Sequence, residues 1–349
     1  MKAFKKLAVV GASLALLTAC GGGNDNGGGQ GDAKCGTEGV YCVGMVTDGG
    51  KIDDKSFNQS TWDGLQAAAK ADSSIHVKYI ETVSATDYDA NIKKFIDGKY
   101  DAIVTVGFHL ETPTLEAAKA NPDIKFIGID QSVAAANLPN LTGLIFPEDQ
   151  AGYAAGYLAG RLTKTGTVGQ VLGMEIPPVK KFAEGFIAGA QAAKPGIQVK
   201  TVYHPAGDNA FVDPTWGAAE AQKQLDQKAD VIFGAGGTTG NGALGQIAKH
   251  ADAGTSVYCI GVDSDQWDTV PEARKCLVTS AMKNITEGTT ELTKQAKAGT
   301  IQGGDVVGNT GLAPYHDFES KLPAEVKTDV QKVVDGLQNG TIKTGVKLS

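Results

Sequence analysis

The chain has no basic stripe, and its acidic and basic residues are mixed along its length. Its 349 residues hold 32 Lys and Arg against 39 Asp and Glu, a net charge of −7. That argues against a nucleic-acid binder, which shows a one-sided basic patch, and against an electrostatic hold on anionic lipid. The five His are scattered and no C-x-x-C occurs, so zinc finds no ligand cluster. G-x-x-x-x-G-K-[ST], H-E-x-x-H and G-x-S-x-G are absent. No metal, no cofactor and no enzymatic activity is expected. Past the N-terminus there is no apolar run near the ~20 residues that a spanning helix needs.

What is present begins with Lys2, Lys5 and Lys6, a short apolar stretch, and Leu17-Thr18-Ala19-Cys20. Basic start, apolar middle and small residues make a secretory signal. A Cys directly after the small residues is its lipoprotein form. Residues 1–19 read as signal peptide and Cys20 as the acylated N-terminus. Residues 20–38 begin with a Gly-rich run and read as a tether. The protein is expected to work outside the cytoplasm, lipid-anchored to the cell membrane. Four cysteines remain in an exported chain, which points to disulfides. Three pairings are open, and free buried thiols are the alternative. The local pairs are favoured: Cys35–Cys42, stapling the tether to the first strand, and Cys259–Cys276, linking adjoining strands.

The mature part alternates strands and helices. Strands are expected at Val40–Val46, His76–Thr82, Ala102–Val106, Lys125–Ile129 and Leu141–Phe146, with helices at Ser56–Asp72, Tyr88–Asp97 and Thr114–Ala120. A helix from Pro147 to Leu162, rich in Gly and Ala, suits close packing against a sheet. The alternation then restarts. Strands fall at Val168–Leu172, Val199–Tyr203, Val231–Gly234, Val257–Val262 and Leu277–Ala281, and helices at Val179–Ala193, Trp216–Gln227 and Ala243–Ala251. Two more helices follow, at about 285–298 and 323–339. This is an α/β chain of parallel sheets with helices on both faces. Two hinged lobes are expected: 39–145 plus 264–305, and 146–263 plus 306–349.

Ligands of such sheets sit beyond the carboxyl ends of the strands. The residues there are Asp48, Phe57 and Asn58, Gly107, Asp130, Phe211, Gly236 and Asp263, with Lys283 past the last strand. Asp53 and Ser56 read as helix-capping residues. Phe57 and Phe211, taken as equivalently placed in the two lobes, offer two ring faces for a flat ligand. Asp130 and Asp263 each close a Gly-hydrophobic-Asp strand end, where a carboxylate can accept from both hydroxyls of a vicinal diol. Gly240-Asn241-Gly242-Ala243-Leu244-Gly245 matches G-x-G-x-x-G, but Ala235–Thr239 separate it from the strand, which argues against a dinucleotide site.

The stretches Val46–Gln59 (VTDGGKIDDKSFNQ), Ala151–Gly160, Glu184–Ala190, Gly261–Gln266 and Thr279–Lys283 resemble the BMP (basic membrane protein) family of lipoproteins. That group includes the purine nucleoside receptors, and the resemblance runs from about residue 40 to 300. It implies a type I periplasmic-binding-protein-like fold, with two Rossmann-like lobes and a hinge crossed three times. By resemblance, a base lies between Phe57 and Phe211, with Asp48, Asn58 and Asp130 at its edge. Asp263 and Lys283 hold the ribose, with backbone from Gly107 and Gly236. Trp216 stands where a small or basic residue is expected, which bears on pocket size. The implied function is capture of nucleosides, purines favoured, by a monomer that delivers them to an ABC permease. A sensor or sugar receptor of the same fold, and an exported nucleoside-processing enzyme, are the alternatives.

Overall fold

A computed structural model describes residues 34–348. The signal peptide, Cys20 and most of the tether lie outside the described residues. The chain runs β1 (Tyr41–Val46), α1 (Phe57–Ala71), β2 (Ile75–Ile80), α2 (Tyr88–Asp97), β3 (Ala102–Val106), α3 (Glu111–Ala120), β4 (Lys125–Ile129) and β5 (Leu141–Ile145). It then crosses into α4 (Glu148–Leu162), β6 (Thr167–Leu172), α5 (Pro177–Ala193), β7 (Gln198–Tyr203), α6 (Pro214–Asp226), β8 (Val231–Ala235), α7 (Gly237–Ile247), β9 (Tyr258–Asp263), the short α8 (Gln266–Thr269) and β10 (Leu277–Lys283). Last come α9 (Ile285–Ala298), β11 (Gly304–Val307), β12 (Thr310–Leu312) and α10 (Ala324–Gln338).

Two six-stranded sheets result, ordered β11-β5-β4-β3-β1-β2 and β12-β10-β9-β8-β6-β7. They match position for position, so each lobe repeats the other. The named strand pairs are parallel except β10–β12. The inner strands β3 and β8 are buried along their whole length. Helices cover both faces of the sheets, which is why these strands read as unbroken apolar runs rather than alternating ones.

The lobe boundaries differ from expectation in two places, the smaller being that Val306 and Val307, expected in the second lobe, pair with Leu144 and Ile145 in the first. Residues 264–283 are expected in the first lobe, but β10 pairs with β9, Ala281 opposite Val262 and Met282 opposite Asp263. A lone strand carries no mark of its sheet in its own composition; its neighbour decides. The chain returns to the first lobe only at Asn284, and α9 then packs on α1. The three crossings lie at Phe146-Pro147, Asn284 and Gly308-Asn309. They are bonded side by side, Asn284 N–H to the Asn309 carbonyl and Gly308 N–H to the Ile145 carbonyl.

Three further differences have local causes. Helix α4 sets its glycines against α5 rather than against a sheet: a Cβ at Gly156 would collide with the Phe186 carbonyl. Helix α7 starts six residues before the expected Ala243, because close packing overrides the poor helix propensity of its glycines. Strands β11 and β12 have only four and three residues, too few for a periodic signal. Both local disulfides are formed, Cys35–Cys42 with Cα atoms 5.6 Å apart and Cys259–Cys276 with 5.1 Å. Among the described residues no helix is long and apolar enough to cross a membrane.

Candidate functional site

The carboxyl ends of the two sheets face each other across one cavity of about 630 Å³, counting its mouth. All nine expected residues line it. Asp48 follows β1, Phe57 and Asn58 open α1, Gly107 follows β3 and Asp130 follows β4. Across the cleft Phe211 lies before α6, Gly236 follows β8, and Asp263 and Lys283 end β9 and β10. Gly107 has φ 108°, and a Cβ there would collide with the Asp48 carboxylate. Glycine is required on both counts. Asp130 and Asp263 are topological counterparts, and both adopt left-handed backbone, φ 59° and 63°.

Lys283 is the charge centre of the cavity. Its ammonium donates to Asp130 Oδ2 at 2.5 Å and lies 3.7 Å from Asp263 and 3.8 Å from Glu148. It also sits 4.7 Å over the Phe57 ring, with Phe146 and Phe182 at 5.3 and 5.7 Å. Burial pulls its pKa down, but Asp130, Asp263 and Glu148 more than offset this, and the pKa ends above the ordinary lysine value. Burial holds Asp263 up against the pull of Lys283. Burial likewise lifts Glu148 to about 7, with Lys283 working against it.

Asp48 rises to about 7 through burial and then through its neighbour Asp54. Asp54 also rises to about 7 by burial, although three backbone N–H groups pull the other way. Those N–H groups belong to Ser56, Asn58 and Gln59. Asp54, not Ser56, therefore caps α1. Ser56 was expected as a cap, but its hydroxyl donates across the cleft to Asp263 Oδ2 at 2.8 Å. Asn58 Oδ1 and Asp130 Oδ1 are buried and accept no hydrogen bond from the protein. Buried acceptors of this kind are costly unless a donor reaches them.

The expected symmetry of Phe57 and Phe211 does not hold. Phe57 follows β1, and its counterpart position follows β6, where Phe182 of α5 lines the cavity. Phe211 instead sits on the β7–α6 connection. Its ring lies where a Cβ on Gly173 would be. Trp216 does not line the cavity; it meets His204 edge-on at 4.5 Å and leaves pocket size untouched. Sequence reasoning missed Asp54, Phe182 and Glu148. Phe182 lies on the apolar face of α5 and reads as core. Glu148 reads as an ordinary acidic first-turn residue, and only the packing of α4 against β10 within the second lobe brings it to Lys283.

The cavity is lined by residues of both lobes, which are joined through three side-by-side crossings. That defines a solute receptor of the type I periplasmic-binding-protein-like class. A solved ABC transporter solute-binding protein from Aeropyrum pernix K1 shares this fold, with TM-score 0.78, 22% identity, and coverage of 87% of this chain and 92% of that one. The chain belongs to the Bmp family: residues 42–312 match its model, described as ABC transporter substrate-binding protein PnrA-like. Among relatives, the "CD4+ T-cell-stimulating antigen" of Listeria innocua is 33% identical, with 95% of both chains covered. The "ABC transporter nucleoside-binding protein BmpA" of Lactococcus lactis is 30% identical, with 85% of both covered.

Proposed function

We propose that this protein captures nucleosides, purines favoured, in the interlobe cavity and hands them to an ABC importer while tethered outside the cytoplasm through acylated Cys20. One observation carries the reading. A single cavity holds aromatic rings (Phe57, Phe182, Phe211), a hydrogen-bonding edge (Asp48 beside Asn58) and a carboxylate, Asp263, next to a buried ammonium. A base needs the first two, and a ribose diol needs the third. The name of the Lactococcus relative supports the same ligand class. Asp48 and Asn58 belong to one lobe and Asp263 and Lys283 to the other. A nucleoside touching both favours the closed form by its differential contacts, and closure is the signal a permease reads. The same cavity performs capture without any bond-breaking step.

The test is mass spectrometry of small molecules released from the purified protein, with a thermal-shift panel of purine and pyrimidine nucleosides, ribose and hexoses. A purine nucleoside at a hundredfold excess over Kd should add about 2.7 kcal/mol of stability. Stabilisation by sugars alone would replace the nucleoside reading with a sugar receptor.

A further inference from the structure

Helix α7 carries the G-x-G-x-x-G run, and its packing gives that run a different use. A Cβ at Gly240 would come within 3.1 Å of the Gly234 backbone, and one at Gly242 would collide with Pro214. The two glycines thus let α7 press onto β8 and the start of α6. Between them Asn241 reaches into the other lobe, its Nδ2 donating to the Asp54 carbonyl at 2.8 Å. Its Oδ1 accepts from Gln266 Nε2 at 2.8 Å. Gln266 is fully buried, and its Oε1 accepts from the Val262 N–H at 2.9 Å. This chain of bonds fixes which way both amides face.

Lys55, the next residue, is held in the same way. Its carbonyl accepts from Thr269 Oγ1 at 2.9 Å, and from Gln266 Nε2 and Ser264 Oγ at 3.3 Å each. Three donors of the second lobe converge on one carbonyl of the first. Lys55 has φ 64°, a left-handed conformation unfavourable for a residue with a Cβ and kept only where its surroundings enforce it. Asp54 then passes the grip to the ligand site. Its carbonyl is held by Asn241, while its carboxylate holds the N–H groups of Ser56, Asn58 and Gln59. The turn cannot shift without carrying Phe57 and Asn58 with it.

We propose that Asn241, Gln266 and Thr269 form a positioning latch that ties lobe closure to the placement of Phe57 and Asn58. None of the three lines the cavity. The latch sets the closed fraction of the ligand-free protein, and affinity follows that fraction in proportion. The ligand-binding arm of the test rests on the nucleoside reading; the ligand-free arm does not.

The variants are Asn241→Ala, Thr269→Val and, as control, Gln246→Ala, whose side chain bonds Gln222 within the second lobe. The readouts are inosine dissociation by stopped flow and the ligand-free radius of gyration by X-ray scattering. Asn241→Ala should raise koff about tenfold and Thr269→Val about threefold, with kon little changed. Both should enlarge the ligand-free particle, and Gln246→Ala should match wild type. Wild-type koff and wild-type dimensions in both latch variants would overturn the latch. If wild type binds no nucleoside, the nucleoside reading falls and scattering alone decides: unchanged dimensions in both variants overturn the latch, and expansion supports it.

Discussion

Replacing Lys283 by Met should cost more stability at high pH than at low pH. In wild type one ammonium serves three carboxylates at 2.5, 3.7 and 3.8 Å, and none of the four side chains is more than 10% exposed. Met keeps the length and removes the charge. Three buried carboxylates then face one another, with only Lys181 beside Glu148 at 3.1 Å. Stripping one partner from a buried pair costs about 3–5 kcal/mol. The cluster can relieve this by taking up protons. Without the ammonium the pKa values of Asp263 and Glu148, already raised by burial, lie further above their unfolded values. A raised carboxyl pKa gives stability that is full below about pH 4 and lost as pH rises through the folded value. Each carboxyl that protonates recovers about 1.4 kcal/mol per pH unit. The penalty should therefore be about 3–5 kcal/mol at pH 8 and less than half of that at pH 5. Urea unfolding at the two pH values, compared with wild type and with Lys181→Met, measures it. Lys181 is 35% exposed, so its loss should cost under about 1 kcal/mol. A Lys283→Met penalty equal at pH 5 and pH 8, or absent at both, would refute the buried-cation reasoning.

The ligand-free protein should lose stability between pH 4 and pH 7, because Asp48 and Asp54 are held at about 7 when folded and near 3.8 when unfolded. For one such group the change is at most about 4 kcal/mol. Asp48→Asn should flatten the urea-midpoint profile over this range, and a profile as steep as wild type would count against it. Cys259→Ala with Cys276→Ala should lower unfolding stability by about 3 kcal/mol through the freed 17-residue separation, with nucleoside affinity unchanged. Calorimetry with and without reductant checks this, and a loss of binding would mean that the staple shapes the cavity.

Much of this was legible in the sequence because it rests on short-range rules. Buried parallel strands are apolar throughout, so their ends could be found, and ligand residues of such sheets sit at those ends. Gly128-Ile129-Asp130 and Gly261-Val262-Asp263 marked two matching ends without any tertiary knowledge. What failed depends on contacts far apart in the chain. The placement of Leu277–Lys283 follows from its pairing with β9, not from its own residues. Ser56 looks like a cap to any local rule, yet its hydroxyl partner is Asp263, 207 residues away. Glu148 becomes part of the site only because α4 packs against β10, which ends at Lys283 far along the chain. Asn241 was hidden inside a glycine pattern with a better-known meaning.

Isothermal titration of inosine into wild type and into Asp263→Ala tests the central claim most directly. A nucleoside held in the cleft with its diol on the Asp263 carboxylate predicts one site per chain in wild type. It also predicts at least tenfold weaker binding in the variant, since bonds to a charged acceptor are worth about 1.5–3 kcal/mol. Equal affinity in the two proteins would contradict the assignment of the ribose to Asp263. No heat with any nucleoside in wild type would contradict nucleoside capture itself.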